Sequence, residues 1–109
     1  VKAGEPVEIR FINPTNMPHN MLITKPGAME TVAKAAQKMA AQAGAADRDY
    51  VPQEPSIASK ILHASRLLDP KQEQTLRFTA PKSSGDYPYV CTFPGHWRTM
   101  NGVMKVTSE

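Results

Sequence analysis

Cys91, His96 and Met100 fall within ten residues of one another, and His19 lies far upstream. Pro94-Gly95 sits between the thiol and the imidazole and imposes a tight reversal. One short loop can therefore aim thiol, imidazole and thioether at a single point. Two imidazoles, one thiolate and one thioether make up the trigonal donor set with a long axial Met found in electron-transfer copper sites. The soft sulfur donors favour Cu(I), and imidazole suits both Cu(I) and Cu(II). A rigid pocket acceptable to both states need not rearrange when an electron moves. No carboxylate joins the set and no open position remains, which argues against a substrate bound at the metal.

The elements that must carry these residues read mainly as strands. Val7, Ile9 and Phe11 alternate with Glu8 and Arg10, the period of a half-buried strand over Val7–Asn13. Asn13-Pro14-Thr15-Asn16 is a turn, and His19–Thr24 reads as a second strand. Ala28–Ala43 differs in kind. It is rich in helix formers, with Ala28, Val32, Ala36, Met39 and Ala43 on one stripe and Gly44 as a stop, so one amphipathic helix is predicted over 28–44. Further strands are predicted at Ile57–His63, Gln72–Ala80, Tyr87–Cys91 and Gly102–Thr107. About six strands, one inserted helix and no repeats point to an all-β Greek-key sandwich.

Length and composition agree. The chain has 109 residues, 10 prolines and 6 glycines, enough for one domain with one core and many turns. A single cysteine excludes an internal disulfide, zinc sites built from several thiolates and Cys-x-x-Cys redox chemistry. The net charge is +3, with bases and acids interleaved, so no nucleic-acid footprint is expected. No run is long and apolar enough for a transmembrane segment. The opening V-K-A-G-E-P carries no signal peptide and no initiator Met, and reads as a processed or excised piece of something longer.

Pro18-His19-Asn20 and the run Y-P-Y-V-C-T-F-P-G-H-W-R-T-M-N-G-V-M-K-V at Tyr87–Val106 resemble a cupredoxin. The ligand loop and the helix followed by Asp49-Tyr50-Val51-Pro52 are similar to azurins; the V-x-A-G-E opening and the proline before His19 are closer to plastocyanins. The resemblance implies a β-sandwich that shuttles single electrons at one type 1 copper per chain. It implies His19, Cys91, His96 and Met100 as ligands, with Asn20 and Thr92 tying the two ligand segments together. It implies an exported, periplasmic protein and a redox protein partner such as a cytochrome or oxidoreductase. The sequence departs from azurins in having Pro18 where they have glycine, and in lacking their disulfide. The strand that normally precedes the V-x-A-G-E turn is expected to be absent.

Other readings stand beside this one. A lone cysteine is most often a buried inert thiol, and Cys91 beside His96 could also be a nucleophile. Copper storage or delivery, and an electron-entry domain of a larger redox enzyme, are further alternatives. A copper enzyme would need a second metal centre, and only His63 is left over, which reads as a surface or half-buried histidine. Met17, Phe93, Pro94 and Trp97 carry no charge and should surround the loop tip, a surface suited to docking. Trp97 has a second reading, folded back onto the sandwich.

Overall fold

The computed structural model describes residues 1–108. Strand β1 (Pro6–Ile12) turns Glu8 and Arg10 to solvent and Val7, Ile9 and Phe11 inward. It pairs antiparallel with β4 (Glu73–Thr79), from Pro6 opposite Thr79 to Ile12 opposite Glu73. On the outer face Glu8 accepts from Arg77 at 3.0 Å and Glu73 from Arg10 at 2.9 Å. Such exposed pairs add little stability, but opposite charges across the ladder favour this register over a slipped one.

The second sheet has the order β3-β2-β5-β6. Its strands are β2 (Leu22–Thr24), β3 (Ile61–Ala64), β5 (Gly85–Val90) and β6 (Asn101–Val106). All of β2 is buried, because both faces of this sheet are covered. Successive strand residues point to opposite faces. Leu22 and Val90 pack with Val32 and Ala33 of helix α1 (Met29–Met39), whereas Ile23, Tyr87 and Met104 pack toward Ile9 and Phe78 of the β1–β4 pair. The order of layers is therefore helix, four-stranded sheet, two-stranded sheet. Gly102 lies opposite Tyr89 in the β5–β6 ladder, with the Tyr89 ring drawn across it.

Among the described residues no assigned strand precedes β1. Val1–Ala3 instead run beside the end of β6, where Lys2 makes a parallel bridge to Thr107.

Three element boundaries differ from the sequence expectation. The helix ends at Met39 rather than near Gly44, and Ala43 is exposed. Beyond Met39 the chain offers only small methyls, Gln42 and a glycine, too little apolar surface to hold another turn against the sheet. The strand predicted over Ile57–His63 begins at Ile61. Pro55, whose fixed φ suits the first helical position, opens the one-turn helix α2 (Pro55–Ala58), which contains Ile57. The strand predicted from His19 pairs regularly only from Leu22. His19 keeps a two-way backbone bridge to Leu68, and the Ser65 hydroxyl takes the Met21 N–H.

Candidate metal centre

Cys91 follows directly on β5, and its N–H donates to the Met100 carbonyl at 3.0 Å, just where β6 begins. The loop between them is thus pinned at its base. Within it, His96 N–H donates to Phe93 O at 3.0 Å across a turn that needs Gly95 at φ 86°, a conformation glycine adopts freely. Thr99 and Met100 N–H groups fold back onto the His96 carbonyl at 3.1 and 2.9 Å. This backbone geometry lifts the His96 ring to the loop tip and returns it toward Cys91.

His19 lies on the segment that leads into β2, the neighbour of β5 in the sheet, and is buried. Its Nε2 lies 2.8 Å from Thr15 Oγ1, and that hydroxyl lies 2.6 Å from Asn13 Oδ1. The hydroxyl has one proton, and its shortest contact gives that proton to Asn13. The network therefore assigns Nε2 as the donor to Thr15 and leaves the Nδ1 lone pair free. Asn13 spends both amide protons, on Met17 O at 2.7 Å and Leu68 O at 3.0 Å. A ring fixed through its distal nitrogen in this way is the usual arrangement of a metal-ligating histidine.

The two segments meet at Cys91. Its Sγ is 3.8 Å from His19 Nδ1 and 3.7 Å from His96 Nδ1, and the three donor atoms all lie within 4.8 Å of one another. A first-row ion holds sulfur at about 2.3 Å and imidazole nitrogen at about 2.0 Å, so an angle of about 120° separates the two donors by about 3.7 Å. A tetrahedral angle would bring them to about 3.5 Å. The two observed sulfur–nitrogen spacings are thus compatible with one sulfur and two nitrogens meeting at a single ion. Met100 lines a cavity of about 280 Å³ together with Cys91, Phe11, Tyr89 and Val90. It is 38% exposed, so this side of the site is open.

The protonation chemistry also favours a metal. Burial pushes the Cys91 thiol up, with hydrogen bonds from the backbone N–H groups of Asn20 and Phe93 pulling the other way. The thiol is therefore a poor nucleophile without an ion to displace its proton. Burial, then the neighbouring His96, lowers His19, which keeps its ring in the neutral form that metals bind.

Beneath the ligands lies a fully satisfied polar clamp. Thr92 N–H donates to Asn20 Oδ1 at 2.7 Å, and Asn20 Nδ2 donates to Thr92 Oγ1 at 2.7 Å and to Asp49 O at 2.8 Å. Thr92 Oγ1 donates to Tyr50 O at 2.8 Å. Asp49 and Tyr50 sit at φ 57° and 55°, a left-handed conformation that costs a non-glycine residue about 1–3 kcal/mol.

The structure brings His19, Cys91 and His96 together and sets Pro18, Asn20 and Thr92 beside them. Met17 and Pro94 are exposed. Phe93 is half-buried, its ring 5.0 Å from that of His96 and edge-on to Tyr50 at 5.5 Å. Trp97 is folded back. It packs on the helix cluster, donates its indole N–H to Gln37 Oε1 at 3.1 Å, and carries the Arg98 guanidinium 4.9 Å over its ring. His63 is not in the donor cluster and stacks on Phe78, centroids 4.1 Å apart. Sequence reasoning missed Asn13, Thr15 and Asp49. The Asn13-Pro14-Thr15 turn did carry a signal, since Asn13 Oδ1 also accepts the Thr15 N–H at 3.0 Å, the Asx-turn geometry of such residues.

Comparison with known proteins agrees with this geometry. The family described as copper binding proteins, plastocyanin/azurin family, matches residues 1–107. Auracyanin-A of Chloroflexus aurantiacus is 35% identical over 107 residues, covering 97% of this chain and 62% of that protein. Outer membrane protein H.8 of Neisseria gonorrhoeae is 40% identical over 93 residues, covering 84% of this chain and 45% of that protein. The chain thus spans less than two thirds of the length of these relatives. Reduced auracyanin from Roseiflexus castenholzii superposes with a TM-score of 0.82 at 32% identity, covering 98% of this chain and 81% of that one. Auracyanin A, a blue copper protein from Chloroflexus aurantiacus, gives 0.81 at 32%, covering 98% and 84%. With copper as the cofactor that its donor spacing fits, the chain belongs to the plastocyanin/azurin family of copper-binding proteins.

Proposed function

We propose that this domain is a one-electron carrier and not an enzyme. The observation that carries the reading is the preformed triangle of Cys91 Sγ, His19 Nδ1 and His96 Nδ1, with sulfur–nitrogen distances of 3.8 and 3.7 Å. Copper, when bound, supplies a Cu(I)/Cu(II) couple. Three donors already gathered within 4.8 Å of one another would need to move little when its charge changes, which keeps the reorganisation small. Met100, which lines the cavity beside Cys91, would add a weak thioether ligand. Asn20 and Thr92 hold the His19 and Cys91 segments together, and Pro18 stiffens the entry to His19.

Electrons pass through the His96 edge. Met17 and Pro94 stand exposed around the loop tip, with Phe93 half-buried and Trp97 flanking it. An uncharged surface of this kind sheds water and admits a partner closely. The partner is a redox protein such as a cytochrome or oxidoreductase, and the setting is periplasmic or otherwise exported. Among the described residues no helix is long and apolar enough to cross a membrane.

The test is the visible and paramagnetic resonance spectrum of the copper-loaded, oxidised protein. An intense blue thiolate-to-copper band that bleaches on one-electron reduction and returns on oxidation is expected. Copper bound without that band, or a band that does not return, would overturn the reading.

A further inference from the structure

Asp49 lies outside the donor set and contacts none of its atoms, yet it grips the His19 segment on both flanks. On one flank, its main-chain carbonyl accepts from Asn20 Nδ2 at 2.8 Å, the residue after His19. On the other, its carboxylate Oδ1 accepts the Leu67 N–H at 3.0 Å. Leu67 precedes Leu68, whose N–H and carbonyl bond reciprocally to His19 at 2.8 and 3.0 Å. The next carbonyl, that of Tyr50, takes the Thr92 hydroxyl and so reaches the residue after Cys91.

Carbonyls of consecutive residues point the same way only in a helical conformation; in extended chain they alternate. Here they follow the one-turn 3-10 segment Ala46–Arg48, and the chain must reverse hand for both to face Asn20 and Thr92. Asp49 and Tyr50 do so at φ 57° and 55°. Aspartate and asparagine tolerate this region better than other side-chain-bearing residues. A strained conformation persists where surrounding bonds over-determine it: the N–H groups of Asp49 and Tyr50 bond locally to the Ala46 and Ala45 carbonyls at 3.0 Å, and their carbonyls reach the two ligand segments.

We propose that Asp49 is a positioning residue for the copper site, fixing His19 against Cys91 through Asn20 on one flank and Leu67–Leu68 on the other. The spectroscopic half of the test rests on the copper reading above; the exchange half rests on the fold alone.

The experiment compares Asp49→Asn, Asp49→Gly and Asp49→Ala in the same domain. Asn keeps both the acceptor and the tolerance of positive φ. Gly keeps the backbone conformation and loses the acceptor, and Ala loses both. In the metal-free protein, amide exchange of Leu67 and Thr92 should match the parent in Asp49→Asn. In Asp49→Gly exchange should quicken about tenfold at Leu67 alone, and in Asp49→Ala by about that factor at both positions. In the copper-loaded protein, the hyperfine splitting and the blue-band ratio should shift in Asp49→Ala, shift less in Asp49→Gly, and be restored in Asp49→Asn. Lower melting temperatures with unchanged spectra and unchanged Thr92 protection would make Asp49 merely structural and overturn the proposal. So would an Asp49→Asn protein that behaves like Asp49→Ala. If Asp49→Ala does not fold, Asp49→Gly decides: Leu67 protection and spectra both at parental values would refute the inference. A parent chain that took up no copper would sink the electron-carrier reading, while the exchange comparison would still decide the role of Asp49.

Discussion

His19 and His96 present the same nitrogen to the same sulfur at almost the same distance, yet they are held by opposite means. His19 is buried, its distal nitrogen bonded to Thr15, its backbone bridged to Leu68 and its neighbour Asn20 clamped. His96 is half-buried at a loop tip, positioned by backbone turns and a ring contact with Phe93. The difference separates two demands on one site. A carrier must hold its metal through many turnovers, which favours a buried, over-determined ligand. It must also let an electron out, which favours a ligand near the surface with few side-chain attachments. Each histidine meets one demand.

The largest test removes the atom that both histidines face. Cys91→Ser should abolish the blue band of the copper-loaded protein, because a hydroxyl is a hard, poorly ionised substitute for thiolate. A serine variant that stayed blue would mean that the two imidazoles converge on something else.

The next tests weigh one support against the other. Thr15→Val removes the acceptor of His19 Nε2 and should lower copper affinity about 10–100-fold in a chelator competition. Trp97→Phe removes the indole N–H to Gln37 and trims the ring packed on the helix cluster, beside His96, and should change affinity by less than about threefold. Equal losses in the two variants would erase the distinction between a fixed and a lightly held ligand.

A smaller effect is expected on rate alone. Met17→Lys or Pro94→Glu places charge at the His96 end, and should slow electron self-exchange several-fold with little change in the blue spectrum. The slowing should depend on ionic strength, since screening weakens charge repulsion between copies. Unchanged rates in both variants at matched potential would place the exit elsewhere.

The smallest effect uses His63 as a histidine outside the cluster. Burial against Phe78 lowers its pKa, so the unfolded chain binds its proton more readily than the folded one. Its contribution to stability is therefore present above the unfolded value of about 6.5 and is lost as pH falls below it. His19, also lowered by burial, adds to that loss in the metal-free protein. In melting curves of that protein between pH 7.5 and 5.5, His63→Gln should flatten the acid-side decline in part, and copper loading should leave the share owed to His19 in place, since a metal-held imidazole resists protonation while the unfolded chain still takes up the proton. A decline unaltered by His63→Gln would show that His63 takes no part in it.

What was legible in the sequence follows from locality. Cys91, His96 and Met100 share one loop, and Pro94-Gly95 dictates its reversal, so their convergence could be argued from spacing. His19 gained its place only from the downstream loop, because its donor partners lie more than 70 residues away in sequence. The sheets were readable where exposure alternates, as in Val7, Ile9 and Phe11. The segment around Ile57 was not, because Pro55 and the packing of Ile57 outweigh its apolar pattern. Asn13, Thr15 and Asp49 carried least signal of all. Each is a polar loop residue, and only the folded chain turns its side chain or carbonyl toward a ligand segment.

Gly102 has a consequence of another kind. A Cβ there would overlap the phenol ring of Tyr89, which lies across it and forms one wall of the cavity beside Cys91. The two positions are therefore a single heritable unit. A lineage that keeps the Tyr89 ring in this position must keep glycine at position 102. A larger residue at position 102 becomes admissible only after position 89 has shrunk, and that order of events would first widen the space beside the thiol. Descendants of this sequence with a larger residue at position 102 should also carry a smaller one at position 89.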